Sequence, residues 1–216
     1  MTVSKNLIWG WFGDKPKPPI YGLCKATWDK HLAGWNVIEL NERTFDVNFC
    51  EYSKQAYAQK AYSYVNDVAR LWALHKYGGV YLDTDYYLFR PIPDNMLTAD
   101  AFCGEGMKGV SDKTFQTSTG IIGAKQGNAA IAKKLSEYTV LKRFSHRIAE
   151  WTLDSIRHDV VVHDYTLLTC ANPYSEEIEV GDDSIGIHLY DVSWDERCSH
   201  LSWARYSKIP KTKRSN

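Results

Sequence analysis

Residues 65–85 read VNDVARLWALHKYGGVYLDTD and carry the clearest structural pattern of the chain. Their apolar residues recur at helical spacing and the pattern extends backwards, so we predict one helix over Ala56–Tyr77. Two glycines follow at 78–79, where a left-handed residue commonly ends a helix. The next residues, VYL, predict a short buried strand. That strand runs directly into Asp83 and Asp85, so we expect both carboxylates at its carboxyl end.

Outward from this stretch, predicted strands and helices alternate. Apolar runs predict strands at Leu7–Phe12, Trp35–Leu40, Gly120–Ala124 and Ser184–Leu189. Helical patterns cover Leu23–Leu32, Asn128–Tyr138 with Asn128 as the N-cap, and Ile148–Arg157. The opening order of strand, helix and strand predicts an α/β sheet built from parallel crossovers.

Composition indicates one globular domain. The chain has 216 residues, of which 44% are hydrophobic, and its 26 basic and 26 acidic side chains balance. This balance gives no support to non-specific nucleic-acid binding. We expect a domain over residues 1–207 and a loose basic C-terminal tail over 208–216. Five scattered cysteines and no apolar segment of signal or transmembrane length predict a cytoplasmic protein.

Asp83 and Asp85 are candidate ligands of a divalent cation. Hard cations such as Mg²⁺ and Mn²⁺ prefer carboxylate oxygens, and two carboxylates one residue apart can reach a common ion. An Asp-x-Asp triplet alone is weak evidence, because such triplets are common in surface turns. The residues that precede the triplet decide between these readings.

Residues 65–85 resemble the signature of glycosyltransferase family 32, which includes capsular-polysaccharide transferases, fungal mannosyltransferases and, more distantly, glucosylating bacterial toxins. The resemblance implies a GT-A type, Rossmann-like mixed sheet flanked by helices, in a single domain with a small acceptor-side region. It implies Mn²⁺ or Mg²⁺ at Asp83 and Asp85, and it assigns Asp67 and Arg70 to the donor sugar. Residues three apart share a helix face, so an ordinary intrahelical ion pair is the alternative for Asp67 and Arg70.

Two further segments extend the resemblance. The segment 8–16, IWGWFGDKP, looks like the first strand of the family, whose aromatic residue packs on the nucleotide base; Trp11 fits that position best, and at least one of its two tryptophans is expected in the core. The segment 188–194, HLYDVSW, resembles a late motif in which His188 would join the cation and Ser193 and Trp194 would touch the diphosphate. A hydrogen-bonded structural histidine is the equal alternative for His188. The candidate donor-binding residues are Trp9, Trp11, Phe12, Gly13, Tyr81, Asp83, Ser193 and Trp194.

The chain departs from the family pattern on the acceptor side. Ser118-Thr119-Gly120 stands where members usually carry an Asn before the central strand, and residues 163–169, HDYTLLT, lack the usual Gly-Pro step. We therefore expect retained donor chemistry with an altered acceptor.

The leading hypothesis is a metal-dependent retaining glycosyltransferase that moves a sugar from a nucleotide sugar, UDP first and GDP second, to a glycan hydroxyl in polysaccharide biosynthesis. Transfer to a protein or to a hydroxylated DNA base is the alternative acceptor. A non-catalytic nucleotide-sugar-binding module and a Mg²⁺-dependent phosphohydrolase are the alternatives of another class. The hydrolase would need further carboxylates, for which Asp182, Asp183 and Asp191 are the candidates. No pattern indicates an oligomeric state.

Overall fold

The computed structural model describes residues 2–108, 115–146, 152–191 and 199–214. Its strands are β1 (Asn6–Gly10), β2 (Asn36–Leu40), β3 (Gly79–Leu82), β4 (Tyr86–Leu88), β5 (Ala101–Lys108), β6 (Phe115–Ala124), β7 (Val161–His163) and β8 (Gly186–His188). Its α-helices are α1 (Pro19–His31), α2 (Glu51–Ala58), α3 (Tyr62–Tyr77), α4 (Ala129–Thr139), α5 (Tyr165–Leu168) and α6 (Ser199–Lys208). Short 3₁₀ turns cover Met96–Thr98, Asp154–Asp159 and Lys211–Lys213.

Six strands form a mixed central sheet in the order β2-β1-β3-β6-β5-β7. β1 runs parallel to β2 and β3, β6 runs antiparallel to β3 and β5, and β7 is parallel to β5. A second sheet consists of β4 and β8, which pair antiparallel. The mixed α/β sheet flanked by helices is confirmed, whereas the expectation of parallel crossovers holds for the first three strands and fails at β6.

Each face of the central sheet carries its own hydrophobic core. Alternate residues of a strand point to opposite faces, so Ile8 enters the core that holds Val68 of α3 and Ile131 of α4. Its neighbour Trp9 enters the other core with Trp28 of α1. That second core also contains the buried side chains of β4 and β8. The β4–β8 pair therefore lies on the face of the sheet opposite α3.

Two predicted helices differ from the observed elements. The helix predicted over Ala56–Tyr77 is two helices, α2 and α3, because the chain breaks at Lys60, which has a φ of 58°. Apolar spacing persists across this break, so periodicity alone could not reveal it. Of the helix predicted over Ile148–Arg157, residues 148–151 lie outside the described ranges, and the rest contributes only to the 3₁₀ turn Asp154–Asp159.

The turn between α3 and β3 depends on glycine, as the sequence predicts. Gly78 has a φ of 64°, and a Cβ at this position would lie 2.5 Å from the backbone nitrogen of Gln126. A larger residue here would be strained by its backbone conformation and would also push away the chain after β6. This turn fixes the direction in which β3 leaves the helix.

Gly78→Ala is therefore expected to lower the free energy of unfolding by more than about 1 kcal/mol, the usual penalty for a left-handed non-glycine residue. Urea unfolding measures the change. Gly22→Ala in α1 is the matched control, because a Cβ at Gly22 meets nothing within 4 Å. The control should raise stability by about 0.5–1 kcal/mol. Equal stability of the two variants would contradict the role given to Gly78.

The segment predicted as a basic tail packs against the domain as far as it is described. Ile209 is 1% exposed and belongs to the second core. The Arg214 guanidinium donates to the Ile209 carbonyl over 2.9 Å. The boundary between a domain and a tail stays a prediction. Among the helices of the described ranges, none has the length and apolar character needed to cross a bilayer.

Candidate functional site

The two aspartates of the Asp-x-Asp triplet lie at the carboxyl end of β3, as the sequence predicts. The Asp83 amide donates to the Gly120 carbonyl of β6 over 2.9 Å, and the Tyr86 amide donates back to the Asp83 carbonyl over 2.9 Å. This turn places Asp85 in the same corner as Asp83. Asp85 is 8% exposed. Asp85 is therefore buried and Asp83 half-buried, so the triplet is not a fully solvated surface turn.

The β4–β8 pair brings His188 to the aspartates. His188 pairs with Tyr86, which directly follows the triplet. The His188 Nε2 atom lies 3.1 Å from Asp85 Oδ1 and 3.6 Å from Asp83 Oδ2. One ligand atom from each of the three residues falls within a span of 4.8 Å. Gly120 makes room for the imidazole, since a Cβ there would lie 2.5 Å from His188 Nδ1.

Burial and charge act in opposite directions on this group. Burial raises the pKa of Asp85, but the neighbouring His188 and the Asp191 amide, which donates to Asp85 Oδ2 over 2.6 Å, bring the pKa below its usual value. Burial lowers the pKa of His188, but Asp85 and Asp83 bring it above its usual value. Asp85 is therefore a carboxylate at neutral pH, the form that a metal ligand requires.

Arg70 and Asp67 extend the site along α3. The Arg70 guanidinium is paired with the Asp67 carboxylate, donates to the Thr119 carbonyl over 3.1 Å, and lies 3.5 Å from Asp83 Oδ1. Asp67 and Arg70 are each 7% exposed. This pair is an intrahelical ion pair, but it is buried and reaches Asp83. The structure thus brings together Asp67, Arg70, Asp83, Asp85 and His188.

Tyr81 contacts the site through its hydroxyl, and Asn66 is a further contributor that sequence reasoning missed. The Asn66 side-chain amide donates to the Tyr81 hydroxyl over 2.6 Å, and that hydroxyl donates to Asp83 Oδ1 over 2.6 Å. Burial raises the pKa of Tyr81 well above its usual value, so the phenol stays protonated and can donate. Alternate residues of a strand point to the same side, so the spacing of Tyr81 and Asp83 could have predicted their contact from the sequence. Tyr81 therefore orients Asp83.

Tyr81→Phe is expected to lower the free energy of unfolding by about 1–3 kcal/mol, because it leaves the Asn66 amide without its partner. Urea denaturation provides the measurement. Tyr62→Phe is the matched control, since no hydrogen bond of the Tyr62 hydroxyl occurs within the described residues. Its free energy of unfolding should change by less than about 0.5 kcal/mol. A Tyr81→Phe protein as stable as this control would refute the hydrogen-bonded chain.

The two tryptophans near the end of β1 have different surroundings. Trp9 is 3% exposed and packs against Tyr21 and Trp28, with ring centroids 5.2 Å and 6.4 Å apart. Trp11 is half-buried, and its indole nitrogen donates to the Lys15 carbonyl over 2.8 Å. Trp9 is thus the core residue expected of the two, and Trp11 remains at the surface.

Phe12 and Gly13 shape the loop that follows β1. Phe12 is buried edge-on against Phe45, with ring centroids 6.1 Å apart. The Gly13 amide donates to Glu42 Oε1 over 2.6 Å. Phe12 therefore anchors the loop in the core, whereas Gly13 lies at its surface. Ser193 and Trp194, the other predicted donor-binding residues, lie outside the described ranges.

The additional carboxylates that a hydrolase would require do not join the metal-compatible group of the described residues. Asp191 is 5% exposed, and its Oδ1 atom accepts a hydrogen bond from the Ser202 hydroxyl over 2.5 Å. Asp182 and Asp183 are exposed, and the Asp182 carbonyl contacts Arg90 and Lys213. In the part of the chain that the structure describes, the one group with metal-ligand geometry is Asp83, Asp85 and His188.

The residues present fit a divalent cation. Asp67, Asp83 and Asp85 supply three carboxylates, while Arg70 supplies one permanent positive charge and His188 at most one more. The site is therefore left with a net negative charge that a bound cation would offset. Two carboxylates with one imidazole form a donor set acceptable to Mn²⁺ and, less readily, to Mg²⁺, which favours oxygen ligands alone.

Part of the chain matches a known protein family. Residues 22–103 match the family model described as the glycosyltransferase sugar-binding region containing the DXD motif. This segment includes Asp67, Arg70, Asp83 and Asp85. Residues 22–103 therefore resemble the DXD-containing sugar-binding region of glycosyltransferases. A comparison with curated proteins found no match.

Several solved glycosyltransferases are similar to the chain. The PaToxG glycosyltransferase is 18% identical with a TM-score of 0.47, over 62% of this chain and 60% of its own. A glycosyltransferase involved in the glycosylation of the major capsid of PBCV-1 is 16% identical with a TM-score of 0.49, over 92% of this chain and 98% of its own. The chain thus spans 60% of the length of PaToxG glycosyltransferase and nearly all of the second protein.

Proposed function

We propose that the chain is a metal-dependent glycosyltransferase that moves a sugar from a nucleotide-sugar donor to an acceptor hydroxyl. The observation that carries this proposal is the Asp83, Asp85 and His188 group, whose ligand atoms lie within 4.8 Å of one another. The group lies beside the buried Asp67–Arg70 pair. Asp67, Arg70, Asp83 and Asp85 fall within the segment that matches the sugar-binding family model, whereas His188 lies outside it.

The residues of the site have separate proposed roles in binding the donor. Asp83, Asp85 and His188 would hold Mn²⁺ or Mg²⁺, which when bound neutralises negative charge on the departing diphosphate. Arg70 holds Asp67 and Asp83 in place, and its charge adds to the positive potential that the leaving group requires. Asp67 has carboxylate lone pairs beyond those that Arg70 uses, and it can accept hydrogen bonds from donor-sugar hydroxyls.

The nucleotide base is assigned to the loop after β1. Trp11 is the proposed platform, because its ring is half-buried and held by the hydrogen bond to Lys15, whereas Trp9 is enclosed in the core. Stacking on an indole contributes about 1–3 kcal/mol per base in nucleic-acid complexes. UDP is the first choice and GDP the second. The proposed contacts of Ser193 and Trp194 with the diphosphate complete this assignment.

Retention of anomeric configuration by front-face attack is the proposed stereochemical course. Each carboxylate of the group already has a partner: Arg70 for Asp67, the Tyr81 hydroxyl for Asp83, and the Asp191 amide for Asp85. In this proposal Asp83 and Asp85 act as cation ligands and Asp67 accepts donor-sugar hydroxyls, so none of the three is assigned as a nucleophile. Attack assisted by the leaving phosphate needs no carboxylate nucleophile.

A glycan hydroxyl is the first choice of acceptor, in line with polysaccharide biosynthesis. A protein and a hydroxylated DNA base remain as alternatives. The balance of 26 basic and 26 acidic residues gives the DNA base no electrostatic support. The acceptor side is assigned to residues 163–169, where the chain departs from the family pattern.

Release of free nucleotide from UDP-sugars and GDP-sugars tests the proposal. Purified protein with Mn²⁺ should release UDP or GDP from at least one donor, and EDTA should stop the release. Mass spectrometry on glycan, protein and modified-DNA acceptors then separates the three acceptor classes. Donor turnover that persists at full rate in EDTA would contradict metal dependence. Binding of a donor by calorimetry without any released nucleotide would favour a non-catalytic module.

A further inference from the structure

The segment 188–191 contributes two separate groups to the cation site. The His188 imidazole faces Asp83 and Asp85, and the Asp191 amide donates to Asp85 Oδ2 over 2.6 Å. The Leu189 amide also donates to the Asp85 carbonyl over 3.0 Å. The backbone conformation of residues 188–191 thus determines the position of His188 and the orientation of the Asp85 carboxylate.

This segment has a strained backbone at Tyr190, whose φ is 50°. A residue other than glycine in the left-handed region is strained and persists only when its surroundings enforce that conformation. The Tyr190 ring stacks on the His188 imidazole, with ring centroids 3.8 Å apart and an interplanar angle of 29°. The reversal at Tyr190 therefore both covers His188 and turns the Asp191 amide toward Asp85.

Helix α6 supplies contacts that enforce this conformation. The Ser202 hydroxyl donates to Asp191 Oδ1 over 2.5 Å, and Arg205 Nη1 donates to the carbonyls of Leu189 and Tyr190 over 2.5 Å and 3.2 Å. Both α6 residues are 0% exposed. A guanidinium has five donors in a rigid fork, so one arginine can fix several carbonyls at once.

Arg205 also joins a second loop to the same point. Its Nε and Nη2 atoms donate to the carbonyls of Ser175 and Pro173, each over 2.9 Å. Burial of a charged guanidinium is costly unless its donors are satisfied. Among the described residues, Arg205 thus donates to four carbonyls, and two of these hydrogen bonds hold the segment that carries His188.

We propose that Ser202 and Arg205 are positioning residues for the cation site: they hold residues 189–191 in the conformation that aims the His188 imidazole and the Asp191 amide at Asp85. This inference rests on the proposed function, since it assumes that Asp83, Asp85 and His188 bind the cation. It extends the site to α6, which lies outside the segment that matches the family model.

Direct Mn²⁺ binding to the free protein tests the inference without any donor or turnover. Ser202→Ala removes the hydroxyl that holds Asp191 and should weaken Mn²⁺ binding about 10-fold or more, as outer contacts of metal ligands commonly do. The free Mn²⁺ signal in electron paramagnetic resonance titrations gives the dissociation constant. Ser207→Ala is the matched control on the same helix, because Ser207 is exposed and its hydroxyl donates to the Ala204 carbonyl of α6.

The Mn²⁺ dependence of the transfer rate distinguishes a positioning effect of Ser202→Ala from a loss of folded protein. In the transfer assay, Ser202→Ala should raise the Mn²⁺ concentration needed for half-maximal rate while kcat at saturating Mn²⁺ stays within about 2-fold, since the 10-fold weaker binding is recovered by excess metal. If the wild-type protein binds Mn²⁺ and Ser202→Ala binds it with the same dissociation constant, the positioning role is overturned while the cation site stands. No Mn²⁺ binding by the wild-type protein would overturn the proposed cation site and this inference together.

Discussion

Asp85→Asn is expected to reduce metal-dependent sugar transfer by roughly a thousand-fold or more. A cation at the leaving phosphate contributes several kcal/mol to the transition state, and each 1.4 kcal/mol is about a tenfold change in rate. The Asn side chain keeps the size of Asp85 and one acceptor oxygen, but it loses the negative charge that attracts the cation. Initial rates of nucleotide release at saturating Mn²⁺ measure the effect.

The fold of Asp85→Asn should persist, because the Asn side-chain oxygen can still accept the Asp191 amide that now bonds to Asp85. Asp100→Asn is the matched control: Asp100 is exposed and pairs with Lys125, and it belongs to no metal-compatible group in the described chain. The control should keep the wild-type rate. Undiminished turnover of the Asp85→Asn protein would contradict the proposed role of the cation in sugar transfer.

Arg70→Met is expected to have the largest effect on stability, about 3–5 kcal/mol in the free energy of unfolding. Removal of one member of a buried ion pair leaves its partner charged and desolvated. Here the Asp67 carboxylate, 7% exposed, would lose its partner, and the Thr119 carbonyl would lose its donor. Chemical denaturation gives the change, and nucleotide release should fall along with it.

Lys25→Met is the matched control, because it removes an ion pair that is exposed instead of buried. Lys25 and Asp29 also form an ion pair on one helix, but their side chains are 33% and 61% exposed. Loss of that pair should cost less than about 1 kcal/mol, because water replaces the lost partner. If Arg70→Met were no more destabilising than Lys25→Met, the Asp67–Arg70 pair would be an ordinary surface pair.

The centre of the site could be predicted from the sequence because its parts are local. Helix α3, the glycine at 78 and strand β3 follow one another, so periodicity and turn chemistry were enough to place Asp83 at a strand end. Asp67 and Arg70 were recognisable because they lie one helical turn apart. The mixed character of the sheet came with the family resemblance, since no sequence pattern marks β6 as antiparallel.

The remaining parts of the site depend on contacts that are distant in sequence. His188 joins the aspartates only because β8 pairs with β4, and β4 was not predicted as a strand. Arg205 lies on α6, a helix that was not predicted, and it is buried against two loops. Asn66 acts through Tyr81, which is 15 positions away. Such pairings follow from the packed chain, and single-sequence periodicity does not contain them.

The position of Mn²⁺ in a crystal of the protein grown with Mn²⁺ and UDP tests the proposed cation site. We predict an anomalous difference peak at the manganese absorption edge among Asp83, Asp85 and His188, in contact with the diphosphate of the nucleotide. A manganese peak away from these three residues, or UDP bound at another place on the chain, would contradict the account.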